Sequence, residues 1–144
     1  MTISHPRRLT PPAEPGALLK RFAAPAPRRP TPDADRDYLA LVRQCPCLHC
    51  GMVPSEAAHV RMASAAYGKS SGMAQKPADR WALPLCAEHH RLSRQAQHAR
   101  GEQVFWMELG INPLLACANL YAQRGDLVAM QAVVVSTIAT RGVR

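Results

Sequence analysis

The chain has 144 residues, a formal net charge of +8 and a pI of about 9.9. That length supports one modest core and a single principal domain. The basic surplus favours a polyanionic partner, with nucleic acid first among them. It holds no run of about 18 apolar residues for a membrane span and no N-terminal apolar stretch for a secretory leader. Five cysteines without such a leader point to a reducing, cytoplasmic setting in which thiolates bind metals rather than pair as disulfides.

Residues 1–35 carry eight prolines and little apolar periodicity. They predict a disordered basic arm, punctuated by Arg7-Arg8, Lys20-Arg21 and Arg28-Arg29, that lies on phosphates and is dispensable for folding. Residues 36–144 form the domain. Asp35 is positioned to cap a helix from Arg36 to about Gln44. Cys45-Pro46-Cys47-Leu48-His49-Cys50-Gly51 reads as a tight knuckle, with Gly51 permitting the turn. A short strand is expected over 57–62, then a long Gly/Ser/Ala/Lys loop over 63–78. Arg80–Leu85 reads as a second strand that delivers Cys86. A helix should start near Cys86 and carry His89 and His90. Glu102–Leu109 reads as helix. Asn112-Pro113 starts another, running over Leu114–Gln123 and ended by Gly125. The last helix spans Asp126 to about Thr140, although Val133-Val134-Val135 also permits a strand.

Two ligand pairs carry the strongest signal. Cys47 and Cys50 have the two-residue gap that lets two sulfurs reach one ion, and Cys86 and His89 repeat it. Two such pairs supply the four donors of a structural tetrahedral Zn2+. Thirty-five residues separate them, so a small subdomain is inserted between. Cys45 is a spare thiol, buried or an alternative to Cys47. Cys117 lies in an Ala/Leu-rich stretch and reads as core. Five of the six histidines fall between residues 49 and 98. His59 and His90 sit where a hairpin packed on a helix can bring them face to face, as a metal or general-base pair beside a basic surface. Arg61, Lys69, Lys76, Arg80, Arg91, Arg94 and Arg100 are candidates for holding phosphates.

Four segments together carry a family likeness: Glu-Ala-Ala-His-Val-Arg (56–61), Lys-Pro-Ala-Asp-Arg-Trp-Ala-Leu-Pro-Leu-Cys-Ala-Glu-His-His-Arg (76–91), Gln-His-Ala-Arg-Gly-Glu (97–102) and Phe-Trp (105–106). Over roughly residues 45–122 the chain resembles the HNH nucleases of phages and prophages, especially the branch related to the RecA-dependent nuclease. The resemblance implies an α+β fold with a zinc-stapled ββα-metal core, extended here by C-terminal helices. It also implies metal-dependent DNA cleavage in a bacterial or phage-infected cell. On that pattern His59 is the general base and His90 a ligand of a divalent catalytic ion such as Mg2+ or Mn2+. His98 and Asp79 are further site candidates. The chain departs from the family pattern in three places. Ala58 precedes His59 where Asp or His is common. Trp81 lies near the place of the middle Asn, with Asp79 the nearest polar residue. His90 and His98 are eight apart rather than four. An unbroken helix would separate those two by about 12 Å, so either the helix breaks after about Leu92 or only one of them binds the ion. The readings that remain beside catalysis are a zinc-stapled DNA-binding module and a domain docking on a recombinase filament through the Trp106 and Tyr121 region.

Overall fold

A computed structural model describes residues 33–70 and 76–142. Helix α1, Arg36–Val42, starts where Asp35 Oδ1 accepts from Tyr38 N. Its buried face is Tyr38, Leu39 and Val42. The knuckle follows, then strand β1, Glu56–His59, and strand β2, Ala82–Leu85. The two strands pair antiparallel, with Glu56 opposite Leu85 and His59 opposite Ala82. Val60 N adds one more bond to Trp81 O.

Every residue of β2 is buried, because elements cover it from several sides. Tyr38 Oη donates to Ala82 O, and Leu48 N donates to Pro84 O. Pro84 lacks an N–H, yet its carbonyl ties the knuckle to the sheet. After β2 the chain makes a single π-helical turn, Glu88–Leu92, then helices α2 (Gln97–Arg100), α3 (Glu102–Leu109), α4 (Pro113–Ala122) and α5 (Leu127–Thr140). The result is a small α+β domain with a two-stranded sheet and five α-helices among the described residues. No helix among them is long and apolar enough to cross a membrane.

The main core joins Tyr38, Val42 and Leu48 to Leu83, Leu85, Trp106, Leu120, Met130 and Val134. Cys117 belongs to this core, as its setting predicts. Asn112 caps its helix as expected, with Oδ1 accepting from Leu114 N and Leu115 N; Asp126, expected as the first residue of the last helix, instead caps it, with Oδ1 accepting from Ala129 N. Val133-Val134-Val135 is helical, because Met130 and Val134 bury one face of α5 and outweigh local β preference.

Several expectations need adjustment. The first strand covers Glu56–His59 rather than 57–62. The second begins at Ala82, because Asp79–Trp81 forms a 3-10 turn. The first helix ends at Val42. Within the expected loop, Ser64 and Lys69 form an antiparallel bridge around a 3-10 turn at Ala65–Tyr67, while residues 71–75 lie outside the described residues. The arm over 1–32 also lies outside them. Its proposed end at residue 35 is too far along the chain: Asp33 O accepts from Asp79 N, and Asp35 N donates to Asp79 Oδ2. Those residues are part of the domain.

Candidate metal centre and histidine cleft

The knuckle builds the first half of the metal centre. Gly51 N bonds Cys47 O at 2.7 Å, closing a turn in which Gly51 takes φ +73°. A side chain is disfavoured at that angle. His49 N points at Cys47 Sγ, 3.4 Å away. Arg141, just past α5, donates to the carbonyls of Leu48 and His49 and so pins the knuckle from the C-terminal end. Cys86 leaves the end of β2, and the π turn carries His89 back toward it. Single π turns are frequent at functional sites.

Cys47, Cys50, Cys86 and His89 converge, with all four ligand atoms within 4.8 Å of one another. Cys50 Sγ and Cys86 Sγ are 3.8 Å apart, and His89 Nδ1 lies 3.1 Å from Cys86 Sγ and 3.9 Å from Cys47 Sγ. Two sulfurs each about 2.3 Å from a tetrahedral zinc are about 3.8 Å apart, so the donor set fits that ion. Burial pushes the Cys47 thiol up to about 11. A cation beside such a thiol makes it a thiolate at neutral pH. His49 stacks on the His89 ring at 3.7 Å between centroids, which braces the histidine ligand.

Cys45 is not in the cluster. It is buried, and its Sγ lies 3.5 Å from Leu41 O. Cys45→Ala is therefore expected to keep one zinc per chain, as measured by atomic emission on purified protein. Loss of the zinc would place Cys45 among the ligands.

The remaining histidines gather beside the sheet. His59 ends β1, and its Nε2 is 2.9 Å from Asp79 Oδ1. Asp79 also takes Lys76 Nζ at 3.0 Å and Asp35 N at 2.9 Å. Burial pushes the His59 pKa below the ordinary imidazole value, against the pull of Asp79. Burial raises the Asp79 carboxyl, but its bonds to Asp35 N, His59 and Lys76 outweigh that and hold it below the usual aspartate value.

The chain breaks after Leu92: Ser93 is extended, with ψ 164°. Helix α2 then brings His98 back, so the rings of His90 and His98 stand 4.6 Å apart at 64°. Glu56, the first residue of β1, reaches His90 Nδ1 at 2.7 Å and grips Arg91 through Nε and Nη2. The Arg91 and His90 bonds pull the Glu56 carboxyl down to about 2. With Nδ1 so engaged, His90 keeps Nε2 for another partner, the arrangement typical of metal-ligating histidines. Burial, then the neighbouring His90, lowers the His98 pKa and favours a neutral ring.

A cleft of about 320 Å³ opens here, lined by His59, Arg61, Gln97, His98, Gly101 and Glu102. Glu102 accepts from Arg61 N, Met62 N and Gln97 Nε2, so it ties the exit of β1 to α2 and α3. Glu56, Gln97 and Glu102 have no assigned role in the sequence reading. Their only local signal is a polar residue beside a histidine or at a helix start, and their partners are distant except for the Gln97–Glu102 pair.

The cation candidates divide. Arg61, Arg80 and Arg94 are exposed and form no ion pair among the described residues. Lys76 is paired with Asp79, Arg91 with Glu56, and Arg100 with Glu108. Lys69 is only 7% exposed and lies near the Trp81 ring, so it is a packed residue rather than a surface one. Trp106 is 1% exposed, which removes it from any docking surface. Ala58 is fully buried in the core.

The fold and the four-donor centre define a small metal-knuckle α+β domain. Residues 18–112 match the family described as "Protein of unknown function (DUF968)", and the chain belongs to that family. No curated protein and no solved structure matches. The matched span holds both ligand pairs and all the cleft residues, and it ends just before α4.

Proposed function

We propose that this chain is a metal-dependent DNA endonuclease of the ββα-metal type. The observation that carries the reading is the convergence of His59 and His98 on one cleft beside a two-strand and helix unit stapled by four metal donors. In this reading Asp79 holds His59 Nε2 and leaves Nδ1 to take the proton of an attacking water. The depressed His59 pKa suits a base that must be neutral at pH 7. His90 and His98 hold a divalent cation. Imidazoles on adjacent positions of an octahedral ion, with metal–nitrogen bonds of about 2.1 Å, have centroids roughly 4.6 Å apart, which these rings match. When bound, the cation offsets charge developing on the phosphate and the leaving oxygen. Arg61 lines the cleft and meets a phosphate there; Arg80 and Arg94 hold the flanking backbone.

One observation favours a second reading, a zinc-stapled DNA-binding module. Among the described residues the Cys/His group is the only cluster of three or more metal donors, and buried Ala58 supplies none where the family pattern has a ligand. Incubation of zinc-loaded protein with supercoiled plasmid separates the two. The nuclease reading expects nicked circles with Mg2+, Mn2+ or Ni2+ and none in EDTA. DNA binding without a product in any ion gives the module. The pH–rate profile adds a further expectation. A base with a lowered pKa remains active below the ordinary imidazole value, so the acid limb lies below pH 6.5. Asp79→Asn removes a charge that raises the His59 pKa and moves the limb lower still. A limb at or above the ordinary value contradicts His59 as the base.

A further inference from the structure

Helix α5 carries a second apolar face. Leu127–Thr140 has no charged residue among its 14, in a chain of net charge +8. Met130 and Val134 bury one side of it in the core. Val128, Ala132, Val135 and Ala139 are all exposed, Val128 at 76% and Val135 at 56%. At 3.6 residues per turn these four lie roughly 150° round the helix from Met130 and Val134, so they point away from the core. Their spacing of 4, 3 and 4 is a heptad seam, the pattern by which one helix packs along another. Thr137 Oγ1 donates to Val133 O and Thr140 Oγ1 to Ser136 O, so both hydroxyls are satisfied within the helix. A helix that is apolar all round is ordinarily covered on both sides.

We propose that the exposed face of α5 pairs with the α5 of a second copy of this chain, antiparallel, about a two-fold axis. Side-chain volume selects a second copy. With the axis midway between residues 133 and 134, Val128 meets Ala139 of the other copy, and Ala132 meets its Val135. Each layer then holds one larger and one smaller side chain. A parallel pair would stack Val on Val and Ala on Ala, in layers of unequal width. A two-fold contact uses one patch twice, so self-complementarity of this kind is what it requires. Electrostatics select the same occupant. Two copies of net charge +8 repel each other, and they approach best where neither presents a charge. The antiparallel arrangement also sets the positive N-terminal end of each helix beside the negative C-terminal end of the other. DNA finds no cation on this face. The helix is only about 21 Å long, so the contact belongs to the small class of interfaces and the dimer is concentration-dependent. The inference stands whether or not the chain cleaves DNA.

Sedimentation equilibrium of the zinc-loaded full chain, from the micromolar range up to about 1 mM, tests it. The mass is expected to rise from 15.7 kDa toward twice that value. Val135→Glu puts a carboxylate into the seam and should hold the chain at 15.7 kDa throughout. Zinc content and the melting temperature of dilute protein should not change, because Val135 is exposed in the single chain. Ala132→Lys combined with Val135→Glu sets opposite charges face to face only in the antiparallel register, and should restore a dimer that weakens with salt. A wild type that stays monomeric at the highest concentration overturns the proposal and leaves the face to residues 1–32 or to a different chain. A dimer indifferent to Val135→Glu places the contact elsewhere and overturns it too. So does a loss of zinc or of melting temperature in that variant, which would mean that the face is already packed within one chain. A double variant no better than Val135→Glu overturns the antiparallel register.

Discussion

Cys86→Ser is expected to abolish cooperative folding rather than to soften it. Cys86 sits at the one point where β2, the knuckle and the π turn meet. Its Sγ is 3.8 Å from Cys50 and 3.1 Å from His89. Structural zinc in small modules contributes an apparent ~10–16 kcal/mol, which is of the same size as the whole stability of a typical domain, about 5–15 kcal/mol. The described domain has only a two-stranded sheet, and such a sheet is marginal by itself. Loss of one thiolate also leaves the buried Cys47 without the cation that stabilises its ionised form. Circular dichroism melting with zinc analysis should show no cooperative transition and no bound zinc. A folded, zinc-free Cys86→Ser variant would mean that the core alone carries the fold. Cys47→Ser should behave in the same way.

His59→Ala carries the second large effect. Its neighbourhood is rigid: β1 fixes the backbone, and Asp79 is itself tied by Asp35 N and Lys76. If the proposed nuclease reading holds, loss of His59 as its base should lower the single-turnover cleavage rate by about 10²–10⁴. Zinc content should stay the same, because no zinc donor touches His59 in the described structure. Under the same proposal DNA affinity should stay the same as well, because Arg61, Arg80 and Arg94 are untouched. His90→Ala and His98→Ala should resemble each other, since the break after Leu92 places both rings at one point. A silent His98→Ala beside a dead His90→Ala would mean that a single histidine holds the ion. Full activity in both His59→Ala and His90→Ala would remove the site assignment.

The parts of this arrangement that spacing controls were readable from the chain. The two ligand pairs, the Glu102–Leu109 helix, the Asn112-Pro113 helix start and the last helix to Thr140 are set within a few residues by local chemistry, and the structure has them where local chemistry puts them. The site beyond the knuckle was only half readable. The grip of Glu56 on His90 and Arg91 spans 34 and 35 positions, and the clamp of Glu102 on Arg61 spans 41; no local pattern encodes either. The break at Ser93 carries neither Gly nor Pro, so the return of His98 rested on tertiary packing. Lys69 shows the same limit in reverse, because a lysine in a polar loop reads as solvated until packing buries it. Asp33 and Asp35 look like the tail of a Pro-rich arm, yet their backbone groups hold Asp79.

The most direct test of the central claim is anomalous diffraction from crystals of the zinc-loaded protein soaked in Mn2+. The account predicts one zinc peak among Cys47, Cys50, Cys86 and His89, and a separate manganese peak beside His90 and His98 at the mouth of the cleft that holds His59. Manganese absent from that cleft, or bound only at surface carboxylates, would contradict it.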